Sequence, residues 1–152
     1  MRLLPLLAAL LVAGGCTVNG AATDSGTAAG TAGPVTFRTV AQGGYAANTE
    51  ATAVAAFDAE TYRAKWDSLI GNGEPPAIDF ASEAAVFLFG GQRPSGGFVY
   101  EVRGVTVDGD MLVVDGGVKG PPAKSAVTMA LTSPHAVIAV NSRAFKSVRV
   151  AP

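Results

Sequence analysis

Few residues in this chain have the chemistry to act on a substrate, and their types and spacing restrict what they can do. Ser95 is a possible nucleophile, and His135 is the chain's one histidine, so any serine–base pair would have to use these two. Ser95 sits in Arg93-Pro94-Ser95-Gly96-Gly97. The residue two before it is arginine, so it lacks the Gly-x-Ser-x-Gly elbow that lifts a nucleophile out of a strand–helix turn. With Pro134 before it at the start of a strand-like run, His135 reads as a structural or solvent-facing histidine. Asp108 and Asp110 flank Gly109. The further oxygen ligands and distal glutamate of a calcium loop are missing, and a tight turn explains the three residues. Cys16 is the only cysteine, which excludes an internal disulfide and a cysteine-rich zinc site. One histidine likewise excludes the usual histidine-based metal sites. The expectation is a protein with no catalytic residues, no metal and no cofactor.

The polar groups most available for recognition lie between two strand-like runs. The apolar segment Ala84–Phe89 is followed by Gly90–Phe98 and then by the alternating run Phe98-Val99-Tyr100-Glu101-Val102. A Gly- and Pro-rich connection between strands is a hairpin or a sheet corner. Turn chemistry alone would account for Arg93-Pro94 and Gly96-Gly97. The functional reading is that a rigid loop of Gln92, Arg93, Pro94, Ser95, Gly96, Gly97 and Phe98 presents itself to a protein partner, with arginine beside an aromatic as an interface anchor. Arg93 could equally pair with Asp79. A second turn, Thr132-Ser133-Pro134-His135, is the companion candidate.

Composition narrows the class of partner. The chain has 152 residues, 49% of them hydrophobic and 15% charged. That is enough for one domain with a core once a leader is set aside. Arg2 is the only charge before Cys16. Without it, 10 basic residues face 12 acidic ones, a net charge of −2. There is no basic stripe of the kind needed to neutralise phosphates, so nucleic acid is not an expected ligand.

The N-terminus has the form of a secretory leader. Met1-Arg2 is a short basic start, and Leu3–Ala13 is an apolar run too short for an ordinary transmembrane helix. Ala13-Gly14-Gly15-Cys16 is similar to a bacterial lipobox. Residues 1–15 are therefore expected to be a lipoprotein signal peptide, with Cys16 lipidated and anchoring the chain at the membrane. The competing readings are an ordinary secretory signal followed by a free cysteine, and a membrane-anchored chain. Thr17 replaces the aspartate of the inner-membrane retention signal. In a Gram-negative source the expected site is the outer membrane. From Cys16 to Pro34 the sequence is almost wholly Gly, Ala, Ser and Thr, too poor in large side chains to offset the entropy of folding. It reads as a flexible tether, spanning roughly 20–25 Å.

Residues 35–152 read as one β-rich domain. Val35–Val40 alternates as a strand, and Gly43-Gly44 breaks it. Glu50–Phe57 is a second strand or, given its alanines, a helix. Asp58 is an N-cap with Glu60 in the first turn. Tyr62, Trp66, Leu69 and Ile70 then form one helical face, with Trp66 in the core, and Gly71-Asn72-Gly73 ends the helix. Ile78–Phe80 and Ala84–Phe89 read as extended, the second as a central strand because it is apolar on both faces. Phe98, Tyr100 and Val102 share a face, Val105 and Val107 resume out of phase, and Gly104 marks a bulge. Met111–Val114 returns from the Asp108-Gly109-Asp110 turn. Gly116–Lys124 is loop. Ser125–Leu131, His135–Val140 and Ser147–Val150 are further strands. The expected fold is α+β, mostly antiparallel β with about seven to nine strands and one amphipathic helix.

A family resemblance rests on these same residues. Ile78-Asp79-Phe80, the apolar strand after it, Gly91-Gln92-Arg93-Pro94-Ser95-Gly96-Gly97-Phe98 and Ala130-Leu131-Thr132-Ser133-Pro134-His135 resemble the C-terminal domain of the PrcB family, over roughly residues 35 to 150. The helix with Trp66 and Leu69 is similar too. The resemblance implies a non-catalytic envelope subunit that assists or stabilises a protease, with an envelope protein, such as an extracytoplasmic protease, as partner. A second resemblance is to cysteine-protease inhibitors of the chagasin kind. It would make Arg93–Phe98 an inhibitory loop entering an active-site cleft.

Overall fold

The computed structural model describes residues 33–152. The expected leader, the expected lipidation site Cys16 and the expected tether, up to residue 32, lie outside the described residues. The described residues contain eight strands: β1 (Gly33–Pro34), β2 (Phe37–Gly43), β3 (Ala51–Ala56), β4 (Ala84–Gly90), β5 (Val99–Asp108), β6 (Met111–Lys119), β7 (His135–Val140) and β8 (Ser147–Ala151). One helical element, α1 (Ala59–Lys65) continued by a wider turn over Trp66–Ile70, lies between β3 and β4. The strands form two four-stranded sheets, with orders β1-β5-β6-β8 and β2-β7-β4-β3. Every pairing is antiparallel except β6 with β8, which is parallel. Mainly β with one helix is the architecture the patterning predicts.

The all-apolar run Ala84–Phe89 follows from a third layer. Every residue of β4 is buried. Ala84, Val86 and Leu88 face the other sheet, where they meet Tyr100, Val105, Leu112 and Val114, with Ile138 of the adjacent β7 in the same cluster. Ala85, Phe87 and Phe89 face the opposite way, against Tyr62, Trp66 and Ile70 of the helix. A strand between a sheet and a helix has no solvent face, so it cannot alternate apolar with polar.

The helix starts and stops as its sequence dictates. Asp58, in extended conformation, accepts hydrogen bonds from the Thr61 N–H (2.7 Å) and the Thr61 hydroxyl (2.8 Å). At the far end the Gly71 N–H reaches back five residues to the Trp66 carbonyl (3.0 Å), and Gly71 turns left-handed with φ 81°. The Trp66 indole N–H donates to the Asn72 and Gly73 carbonyls. This ties the stop signal to the buried face.

Three local readings differ from the structure. Ile78–Phe80 is not a strand. Asp79 nucleates a turn there, its carbonyl accepting from the Ser82 and Glu83 N–H groups and its carboxylate from the Ala81 N–H and the Ser82 hydroxyl. Gly116–Lys119 is not loop but the end of β6, paired with Val99–Val102. Ser125–Leu131 is not a strand: apart from Val127 its residues are exposed and join neither sheet. The predicted bulge is present, with a register shift between Val102 and Gly104.

Candidate functional site

The two turns singled out from sequence meet at one end of the sandwich. The segment 90–98 carries the chain from the helix-backed sheet to the other sheet, so it is a sheet corner. Arg93 and Thr132 form an isolated antiparallel bridge, with the Arg93 N–H on the Thr132 carbonyl (2.7 Å) and the Thr132 N–H on the Arg93 carbonyl (3.0 Å). The Thr132 hydroxyl donates to the Ser95 carbonyl (2.7 Å), and the Gly96 N–H to the Thr128 carbonyl (2.9 Å). A third loop joins them. The Ser133 N–H donates to the Gly44 carbonyl (2.7 Å), and the Gln92 N–H to the Thr49 carbonyl (2.9 Å). Three segments, 44–49, 91–97 and 128–134, are thus laced by main-chain bonds into one seam.

The glycines of the loop do different jobs. Gly91 and Gly97 hold positive φ, at 75° and 81°. Gly96 does not. It is small because Thr128 lies against the position a Cβ would take.

Arg93 is built into this seam. It is half-buried. Its guanidinium donates to the Gly90 carbonyl (2.9 Å) and lies 5.9 Å from the centre of the Phe98 ring. Its Nε is buried without an acceptor among the described residues. The pairing with Asp79 does not form, since Asp79 serves its own turn. Gln92, Pro94 and Gly97 are exposed, Ser95 and Phe98 are half-buried, and Gly96, Thr132, Ser133 and Pro134 are buried.

Ser95 and His135 are turned to separate partners. The Ser95 hydroxyl donates to the Gly96 carbonyl (3.3 Å). His135 is buried, with Nδ1 3.4 Å from the Ser133 carbonyl and its ring against Phe89 and Gly43. No hydrogen bond joins the two among the described residues. Asp110 of the Asp108–Asp110 turn binds Lys146 (2.6 Å).

Burial lowers the His135 pKa below its ordinary value of 6.5, and the Ser133 carbonyl only partly opposes this. The folded state therefore prefers neutral imidazole, and the unfolded chain binds the proton more readily. Stability is full above the unfolded value and is lost as pH falls through 6.5 toward the lowered folded value. The melting temperature is expected to decline across that window. His135→Gln, which cannot take up the proton, should flatten the decline. An unchanged slope in the variant would overturn this assignment. Glu83, held low mainly by its hydrogen bond from Arg38, and Asp58, held low mainly by the Thr61 N–H, act only at more acid pH.

Around the seam stand large apolar residues that the sequence reading did not single out. Met129 is 90% exposed, Leu131 63% and Tyr45 60%. Each is adjacent or close in sequence to a seam hydrogen bond, through Thr128, Ser133 and Gly44 respectively. The alternation Val127, Met129, Leu131 is the signal that could have found them, but it reads as one face of a strand.

The fold and site together define a β-sandwich backed by a helix, with a braced loop cluster that displays apolar side chains at one end. Residues 84–141, from the first residue of β4 to the residue after β7, are matched by the family model described as PrcB C-terminal. The chain is thus PrcB-like over that segment, which is shorter than the span of the resemblance seen in the sequence. It contains both candidate turns and Met129 and Leu131. No curated protein and no solved structure matches the chain.

Proposed function

We propose that this chain is a non-catalytic subunit of an extracytoplasmic protease complex, held at the cell envelope through lipid on Cys16. The observation that carries the reading is the coincidence of the PrcB C-terminal match with the braced seam and its exposed Met129 and Leu131. A main-chain-braced loop loses little conformational freedom when it binds, and exposed aliphatic and aromatic side chains on it supply the area that drives association. The contact surface is Met129, Leu131 and Tyr45 together with the exposed Gln92 and Pro94. Arg93 acts from beneath, holding the loop in shape.

The test is recovery of an envelope protease by the full chain from a membrane extract, beside the double variant Met129→Glu, Leu131→Glu. Both positions are exposed, so the double variant should melt within a degree or two of the parent, since surface changes of this kind usually stay within about 0.5 kcal/mol. Protease recovery is expected to fall at least about tenfold, the loss of one modest hot spot. Equal recovery by both forms would remove the surface from the reading. Absence of any protease from the wild-type profile would remove the subunit assignment. Arg93→Glu is not a clean probe, because it takes away the bond to Gly90 and the contact with Phe98.

A further inference from the structure

The two sheets have four edge strands, and three of them are protected against pairing with another chain. β1 is two residues long and includes a proline. β2 is interrupted by a register shift between Thr39 and Ala41, and its Arg38 is bound to Glu83. β8 carries the exposed Arg149 at its centre. Short length, proline, bulges and charges are the usual means of blunting an edge. β3 has none of them. It reads Ala-Thr-Ala-Val-Ala-Ala, uncharged and without a break in its register with β4.

The unpaired groups on β3 can be assigned. The Gly90 N–H donates to the Pro134 carbonyl, so even-numbered residues of β4 direct their main-chain groups toward β7. Main-chain direction alternates along a strand, so Ala85, Phe87 and Phe89 bond to β3, at Ala56, Val54 and Thr52. The N–H and C=O groups of Ala51, Ala53 and Ala55 then point away from the sheet. Beyond the β4 ladder, no hydrogen bond among the described residues takes them up.

We propose that β3 is a self-pairing strand: a second copy of this chain adds its own β3 antiparallel across a two-fold axis at Ala53. This rests on different observations from the protease-subunit reading and stands or falls separately. Placing the axis at Ala53 opposes Ala51 to Ala55, Ala53 to Ala53 and Ala55 to Ala51, so every outward group finds a partner in one register. Alanine at the axis allows close approach without a clash. Charge complementarity selects a second copy over a foreign strand. Exposed Glu50, which has no ion pair among the described residues, stands at the start of β3. Arg143 stands at its end, its guanidinium fixed on the Phe57 (2.9 Å) and Phe80 (2.8 Å) carbonyls. Nearby Asp58 is already engaged in capping α1. Antiparallel pairing brings each Glu50 toward the Arg143 end of the other copy, twice by symmetry. Beside β3 a cleft of about 450 Å³ lies between the sheets, lined by Ala51 and Ala53 of β3 and by Tyr100, Val118, Val148 and Val150, and the added strand would extend its roof.

The test is the mass of the full chain by sedimentation equilibrium in density-matched detergent. The expected result is two copies that dissociate on dilution. Ala53→Pro should weaken the pair about tenfold or more, because the axial N–H bonds go. It should leave the fold intact, since that N–H is not part of the β4 ladder. Should Ala53→Pro fail to fold, oxidised Ala53→Cys decides. A disulfide mapped by peptide analysis to residue 53 of both copies, distinct from links through Cys16, supports the axis. A single-copy mass at all concentrations overturns the proposal. So does a dimer with no 53-to-53 link, or a monomer whose β3 edge instead captures a foreign extended peptide.

Discussion

Phe87→Ala is expected to lower the unfolding free energy by about 3–5 kcal/mol, the cost of removing a large aromatic from a packed core. Phe87 is fully buried on the helix-facing side of β4, with ring centres 5.6 Å from Tyr62 and 6.5 Å from Trp66. With Ala85, Phe89 and Val137 it forms the surface on which the helix rests. The strand cannot shift to close the void, because its neighbours β3 and β7 are fixed in register on both sides. Against a total stability of about 5–15 kcal/mol for a domain of this kind, the loss is a large fraction. The melting temperature should fall by roughly 10–20 °C. Trp66, the only tryptophan, provides a second readout, since a loosened helix would shift its emission toward that of solvated indole. A loss below about 1 kcal/mol would mean that the helix does not depend on this face.

The second large effect is expected at Gly90, where the core strand hands over to the candidate site. A Cβ at this position would run into a methyl of Val118 and lie 3.2 Å from the Pro134 ring. Both neighbours are stiff: valine has a restricted χ1 and proline a closed ring. Gly90→Ala should therefore cost about 1–3 kcal/mol through overpacking. Gly44→Ala, where nothing lies within 4 Å, is the matched control and should be close to neutral. If the clash with Val118 is the cause, adding Val118→Ala should recover part of the loss, as a coupling between the two sites. Additive losses would place the strain elsewhere, at Pro134. The Gly90 carbonyl also accepts from Arg93, and its N–H binds the Pro134 carbonyl. The same variant should therefore loosen the seam, which amide hydrogen exchange at Thr132 and Ser133 would report.

Local chemistry made much of this fold legible in the sequence. Asp58 caps a helix because its carboxylate reaches the N–H three residues on. Gly71 ends it because only glycine takes the left-handed turn cheaply. The turn at Asp108–Asp110, the bulge before Gly104 and the burial of Trp66 and Ala84–Phe89 follow from residue type and period. Gly96-Gly97 and the Thr132–His135 turn also stood out, as residues with strong backbone preferences do.

What the tertiary structure decided is everything set by contacts far apart in sequence. Nothing in the spacing of Arg93 and Thr132 announces that they pair. Ser125–Leu131 has the alternation of a strand, yet it pairs with neither sheet, so Met129 and Leu131 point into solvent. Gly116–Lys119 has loop composition, yet β5 supplies a partner and makes it strand. The edge position of β3, and with it the open row of main-chain groups at Ala51, Ala53 and Ala55, depends on strand order. Periodicity reports which face of a segment avoids water, because that is a property of the segment. Which neighbour covers that face, or leaves it open, is a property of the whole chain.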